Sequence, residues 1–411
     1  MHAGKPISTS QLTPYQRKLF LFLGVATFFE GYDFLALTQI LPNLRADMQL
    51  SMAWSGYLVA IINSGTVLAY FLIRRADRWG RRRVLTLTIA GYTLFTFATG
   101  FAPDVVSFAL LQLFARVFLI AEWATSMVIA AEEFPAHRRG MVIGVIQGFS
   151  TLGAIFCAGV VPLLLKTSYG WRSVYFVGVI PLILLAFARR GLKETKRFEE
   201  MKDRKRHSLF RIWRTPYRKR VIALASVWFF AYIASQNAVA FWKEFAMGER
   251  GMTDSEVGIA ISVAAVLAMP LVFLSGKLID VIGRRRGALV VFAVSSVGVY
   301  GCYALHDPLW LTAALVLGIF GASGFLPILD AYTSELFPTE LRADAFAWSN
   351  NLLGRIGYVV SPLIVGQIAQ QVGAFGPVVS MTAIFPIIAA ALVWFLLPET
   401  RLRELEETSA L

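Results

Sequence analysis

Long stretches of this chain carry almost no charge. Residues 18–29, 54–73, 84–102, 174–188, 221–235, 257–275 and 377–397 are each nearly free of Asp, Glu, Lys and Arg. A bilayer span needs about 20 apolar residues, and fewer when some polar groups face a cavity. Read that way, the sequence predicts twelve spans, near 18–41, 54–73, 84–102, 104–131, 141–165, 172–188, 221–245, 255–275, 287–304, 308–333, 344–369 and 375–397. Hydrophobic residues are 57% of the 411 and charged ones 16%, too little polar surface for a soluble chain of this length to cover itself. The expected fold class is an all-α membrane protein.

Residues 1–17 are polar and the first apolar run continues into a full span, so no cleavable signal peptide is expected. Cys157 and Cys302 both fall inside apolar runs and suggest neither a disulfide framework nor a metal site. The formal net charge of +13 raises the question of nucleic acid, and its distribution answers it. With both termini placed in the cytoplasm, the cytoplasmic segments hold 32 Lys and Arg. The opposite side holds five (Arg45, Lys166, Arg172, Lys243 and Arg250), and two more, Arg116 and Arg355, lie within spans. That asymmetry is the positive-inside pattern, and it fixes the orientation expected of an inner-membrane protein. The basic loop 189–220 then reads as a topology determinant in contact with anionic lipid. Nucleic acid is not an expected partner.

The chain repeats at a single offset. Asp77-Arg78-Trp79-Gly80-Arg81-Arg82-Arg83 follows span 2, and Asp280-Val281-Ile282-Gly283-Arg284-Arg285-Arg286 follows span 8, 203 residues later. Glu132-Glu133-Phe134-Pro135 follows span 4, and Glu335-Leu336-Phe337-Pro338 follows span 10, again 203 residues later. Arg139 and Arg342 repeat at the same distance. The halves end alike, in Lys193-Glu194-Thr195 and Pro398-Glu399-Thr400. The expected organisation is an N-terminal six-helix bundle (1–189), a basic cytoplasmic linker (190–219), a C-terminal six-helix bundle (220–398) and a tail (399–411). Two similar halves suggest rocking about a cavity on their shared axis.

The Gly-x-x-x-Asp-Arg-x-Gly-Arg-Arg loop resembles the signature of the major facilitator superfamily. The second copy carries it at Gly276, Asp280, Gly283 and Arg284, with Val281 for the family's Arg; the first has Ile73 where the family has Gly. The resemblance covers the whole chain and implies twelve helices in two pseudo-symmetric six-helix bundles. It implies a monomer that moves a small molecule and needs no cofactor. Physically, each loop is a charge clamp. Asp77, Arg78, Gly80 and Arg81, and their repeats, are set to meet the acidic ends of spans 4 and 10 at Glu132 and Glu335. With Arg342, they form a predicted cytoplasmic gate.

A charge inside a span costs at least about 2.5–3.5 kcal/mol, so each is a functional hypothesis. Glu30 and Asp33 in span 1 are three residues apart and share a helical face. At about 1.5 Å per residue, Asp33 lies about 22 Å from the cytoplasmic end of span 1 and Arg116 about 18 Å from the other end of span 4. The two levels allow a pair that stays ionised when closed and takes a proton when separated. Gly31-Tyr32-Asp33 with Arg116 is similar to the proton-coupling pair of the sugar porters. The acidic-Gly-x-Asp pattern of Glu30 to Asp33 resembles the aromatic-acid/proton symporters still better. Glu122, further along span 4, is a second candidate proton site or a partner for Arg116. Asp330 reads as gate structure.

Arg355, flanked by Gly354 and Gly357, sits near the middle of span 11 without an acidic neighbour in its own span. An Arg there presents a fork that matches a carboxylate, and the aromatic-acid branch has a similar Arg. Gln147 and Asn350 repeat at the offset of 203, and Asn351, Tyr232, Gln236 and Tyr358 complete the predicted substrate contacts. The aromatic stripe of span 7 reads first as packing surface. No Gly-x-x-x-x-Gly-Lys-Ser/Thr loop is present, which argues against a nucleotide-driven pump. The four histidines lie in tails or loops, so an enzyme is not expected. The expected function is proton-coupled uptake of a small organic anion. Sugar or polyol uptake and proton-driven efflux remain open as alternatives.

Overall fold

The computed structural model describes residues 12–177, 194, 209–401 and 408, without the side chains of 77, 78, 136–140 and 209. The sixth predicted span beyond residue 177, most of the linker and most of the tail lie outside the described residues. In the N-terminal part the helices are α1 (Pro14–Asp47), α2 (Met52–Trp79), α3 (Arg81–Thr99), α4 (Val105–Glu133), α5 (Ala136–Leu164) and the short α6 (Arg172–Phe176). The C-terminal part holds α7 (Arg218–Ala240), α8 (Trp242–Gly248), α9 (Asp254–Ile282), α10 (Arg284–Ala304), α11 (Pro308–Ser323) and α12 (Leu326–Glu335). α13 (Thr339–Phe346), α14 (Arg355–Val372), α15 (Gly376–Met381) and α16 (Ile384–Leu396) complete it.

Ten of the described helical stretches are long and apolar enough to cross a membrane. α3, at 19 residues, adds a further helix at the third predicted span. Helix starts follow local chemistry. Thr13 and Gln16 cap α1 reciprocally, with Pro14 in the first turn, and Thr253 and Glu256 do the same for α9.

Among the described residues four predicted spans are interrupted, the last of them at Thr382 and Ala383 between α15 and α16. Span 7 breaks at Phe241 between α7 and α8, and span 10 breaks at Gly324 and Phe325 between α11 and α12. In span 11, a π-helical segment (Ala347–Gly354) separates α13 from α14 and ends directly before Arg355. π-helical turns inside α-helices recur at functional sites.

The repeat seen in the sequence is present in the backbone. Gly80 and Gly283, 203 residues apart, end α2 and α9 with φ of 95° and 97°. That region is open to glycine and strained for any L side chain. Within each part the chain folds α1 against α5 and α3 against α4, and likewise α7 against α14 and α10 against α11. Across the parts, α2 packs on α14 and α5 packs on α9.

Candidate functional site

The first polar cluster is set by one close helix crossing. A Cβ added to Gly31 would stand 1.9 Å from the Ser150 carbonyl oxygen, and one added to Gly153 would stand 1.8 Å from that of Phe28. Backbone contact of α1 and α5 at these glycines holds both carboxylates of α1 inside the bundle. Glu30 and Asp33 are buried, as are Arg116 and Glu122 on α4. Asp33 Oδ2 accepts a hydrogen bond from Thr96 Oγ1 at 3.2 Å. Glu122 Oε1 accepts one from Ser126 Oγ at 2.6 Å. The Ser150 hydroxyl faces Glu30, and the Arg116 charge acts on both Glu30 and Asp33.

The expected contact pair of Asp33 with Arg116 is not formed. Among the described residues Arg116 makes no ion pair within 4.0 Å, and its guanidinium lies over the Phe34 ring, 4.6 Å from the centroid. Thr96 takes one oxygen of Asp33, and the ring beside Asp33 takes the cation, so the two charges share a buried cluster without touching.

The second cluster surrounds Arg355, which lies midway along Thr339–Val372. Tyr232 Oη donates to Asn350 Oδ1 at 2.8 Å, placing the π-helical segment against α7. Tyr232 stacks on Trp228 at 5.3 Å and meets Tyr358 edge-on at 5.5 Å. Arg355 Cζ stands 5.8 Å from the centre of the Tyr232 ring. Among the described residues the guanidinium has no hydrogen-bond or ion-pair partner, and its Nε is buried. Pairing with Glu30 or Asp330 is thus not made in this structure. Gly354 and Gly357 do not open space for a ligand. A Cβ at Gly354 would meet Trp228 Cβ at 2.6 Å, and one at Gly357 would meet the Phe229 carbonyl oxygen at 2.3 Å. Gly354 presses the end of the π-helical segment onto α7, and Gly357 does the same for α14. Gln236 is buried, Asn351 is half-buried and Gln147 is exposed on α5.

The predicted gate residues form two matched ion pairs. Arg81 Nη2 meets Glu132 at 3.4 Å, and Arg284 Nη2 meets Glu335 at 2.8 Å, each 203 residues from its counterpart. Each pair stays inside its own half and ties the α2–α3 turn to α4, or the α9–α10 turn to α12. The arginines thus meet the acidic helix ends of spans 4 and 10, each within its own half. Asp280 pairs with Arg284 of its own turn at 3.0 Å. Arg342 Nη2 donates to the nearby Phe337 carbonyl, so it serves its own loop. A Cβ at Gly276 would meet only Pro327, at 4.0 Å, so no close helix approach requires that glycine here. The side chains of Asp77 and Arg78 lie outside the described residues.

Sequence reasoning missed the third member of each turn. Glu194 accepts from the backbone N–H of Arg81 at 2.8 Å, and Glu399 accepts from that of Arg284 at 2.8 Å. The matched Glu-Thr ends of the two halves were the signal. A carboxylate there satisfies the orphan donors of a helix start.

On the opposite face, the halves are joined by charge. Arg45 Nη1 meets Glu244 Oε1 at 2.7 Å, and Ser55 Oγ donates to the same oxygen at 3.0 Å. Lys243 Nζ donates to the Gln39 carbonyl and pairs with Asp254 at 2.5 Å. Lys243 is 1% exposed, so it is a buried tie between halves rather than the loop charge the sequence suggested.

The fold and its repeated turns are matched by a family. The profile of the Major Facilitator Superfamily fits residues 23–248 and again residues 224–410. The chain belongs to this superfamily. Among curated members, it is 28% identical over 401 residues to a probable 4-methylmuconolactone transporter of Cupriavidus pinatubonensis, covering 95% of this chain and 92% of that one. It is 26% identical over 381 residues to the cis,cis-muconate transport protein of Acinetobacter baylyi, covering 85% and 87%. Among solved structures, the xylose transporter of E. coli in its inward-open conformation superposes with a TM-score of 0.74 at 17% identity, covering 95% and 98%. This superfamily chain is therefore a multi-pass membrane transporter and not an enzyme.

Proposed function

We propose that this transporter takes up a small organic anion, an aromatic or unsaturated carboxylate, together with protons by alternating access. The face with the arginine turns is cytoplasmic, the membrane is the cell's inner membrane, and one chain suffices. One observation carries the substrate class: a guanidinium near the middle of its span, beside two tyrosines and free of any protein anion among the described residues. Muconate, carried by a relative, is an unsaturated dicarboxylate, which fits that arginine. Arg355 is half-buried with its Nε enclosed, and a carboxylate supplies two acceptors in the plane of its fork.

Proteoliposomes loaded with the purified protein test this with labelled cis,cis-muconate and labelled benzoate under an imposed pH gradient. Acid outside should drive accumulation of at least one of them. Arg355→Lys should raise the half-saturating concentration about tenfold or more, the loss expected when a charged bidentate contact becomes a point charge. Unchanged affinity in that variant, or accumulation of neutral D-xylose in place of either acid, refutes the reading.

A further inference from the structure

We propose that Glu122 is a second proton-binding residue, so that the N-terminal half carries two exchangeable protons rather than one. The inference deepens the proton-coupled reading above and rests on it for the direction in which protons flow.

The argument begins with a charge count inside the bundle. Three carboxyl side chains, Glu30, Asp33 and Glu122, are buried with a single guanidinium, Arg116. If all four were ionised, the cluster would hold two uncompensated negative charges away from water. Unpaired buried charge is avoided by neutralisation, and Arg does not give up its proton. Balance therefore requires two protons among three carboxyls.

The surroundings point the same way. From α1 the cluster receives Glu30 and Asp33; from α4, Arg116 and Ser126; from α5, Ser150 and Cys157; from α6, Tyr175. From α3 come Thr96 and Tyr92, and the Tyr92 hydroxyl sits in the field of all three carboxyls. None of these groups except Arg116 is a cation. Glu30 Oε2, Asp33 Oδ1 and Glu122 Oε2 each lack a hydrogen-bond donor among the described residues. Glu122 is the most enclosed of the three, at 0% exposure, and its one donor is the neutral Ser126 hydroxyl. Glu122 lies about 9 Å along α4 from Arg116, toward the arginine-turn face, at about 1.5 Å per residue. Asp33, Glu30 and Glu122 thus form a descending series toward the proposed cytoplasm, and the second proton has a place to stand on the way out.

The test uses the purified full chain in detergent with no transport substrate. Infrared difference spectra between acidic and alkaline buffer register protonated carboxyl groups, and a pH indicator counts the protons taken up, each in excess of a reference in which Glu30→Gln, Asp33→Asn and Glu122→Gln are combined. Wild type should show two such groups, both shifted by exchange into heavy water. Glu122→Gln should lose one of the two bands and one of the two protons, and Glu122→Asp should restore both. Ser126→Ala, a mild change for folding, should displace the Glu122 band and leave the other in place. Two bands and two protons in Glu122→Gln overturn the proposal. So does a Glu122 band that is unmoved by heavy water, or an undisplaced band in Ser126→Ala. If instead the bands behave as expected while a pH gradient drives no uptake, the proton-coupled reading fails and the second proton site stands.

Discussion

Arg45 and Glu244 join the two halves of the transporter at 2.7 Å, from the last turn of α1 to the short helix after the break in span 7. Glu244 is buried, so opening this face strands a carboxylate that has lost its cation. Glu244→Gln removes that cost from the open state. A cysteine placed at Asn63, which donates to the Tyr358 carbonyl across the same seam, reports the opening once Cys157 and Cys302 are replaced. Labelling by a membrane-impermeant maleimide should become about tenfold faster in Glu244→Gln, the ratio produced by about 1.4 kcal/mol. The exchange Arg45→Glu with Glu244→Arg should restore the slow rate. Labelling that is equal in all three proteins would show that the pair does not hold this face closed.

Gly283→Ala should destabilise the protein by about 1–3 kcal/mol, because it puts a side chain at a φ that only glycine adopts easily. Its Cβ would also stand 2.7 Å from a Glu399 carboxylate oxygen, displacing the group that caps α10. Gly276→Ala in the same motif meets only Pro327, at an ordinary contact distance of 4.0 Å, and should leave the melting temperature unchanged or slightly higher, since Ala favours the helix. Thermal unfolding in detergent compares the two. Equal melting temperatures would remove the turn geometry as the reason for Gly283.

The motif glycines show how far the sequence could be read. The offset of 203 located both arginine turns and both acidic helix ends, because charge and turn residues are local signals that survive without a structure. It could not say that each arginine pairs within its own half, since pairing depends on how α4 and α12 lean against the turns. Glu30, Asp33 and Arg116 were legible as buried charges, because a span tolerates few of them. The separation of Asp33 from Arg116 by Phe34 and Thr96 was not, because it depends on which rotamer each neighbour takes. Gly31 read as part of a motif, and its contact with the Ser150 backbone emerged only once α1 and α5 had crossed. Lys243 and Arg45 counted as loop charges because a side assignment carries no information about depth.

Acid should loosen the cap on α10. Partial burial pushes the Glu399 carboxyl up, but the backbone N–H groups of Arg284, Arg285, Arg401 and Thr400 together outweigh it and hold the group below the usual carboxylate range. A carboxyl with a depressed value in the folded state binds fewer protons there than in the unfolded chain. Its stabilisation is full above the unfolded value, about 4.3, and disappears as pH falls through the lower folded value. Glu399→Gln should lower stability near neutral pH and flatten that acid-side decline. Melting curves from neutral pH to about pH 3 decide it: an undiminished acid-side slope in Glu399→Gln would assign the decline to other carboxylates.

Asp33→Asn separates binding from proton coupling. Asn keeps the size of the side chain and an oxygen to accept from Thr96, so the α1–α3 contact at 3.2 Å survives the change. What disappears is the exchangeable proton. If Asp33 couples protons to substrate, the variant should no longer accumulate labelled cis,cis-muconate above its outside concentration under an imposed pH gradient. Exchange of preloaded label for external muconate needs no net proton movement and should persist, because Arg355 and Tyr232 lie in the other half and are untouched. Thr96→Val provides the intermediate case, in which Asp33 loses its one hydrogen-bond donor but remains able to titrate, so accumulation should persist with a shifted pH dependence. Uphill accumulation by Asp33→Asn with the wild-type pH profile would remove Asp33 from the coupling step and leave Glu30 and Glu122 as the carboxyls that carry it.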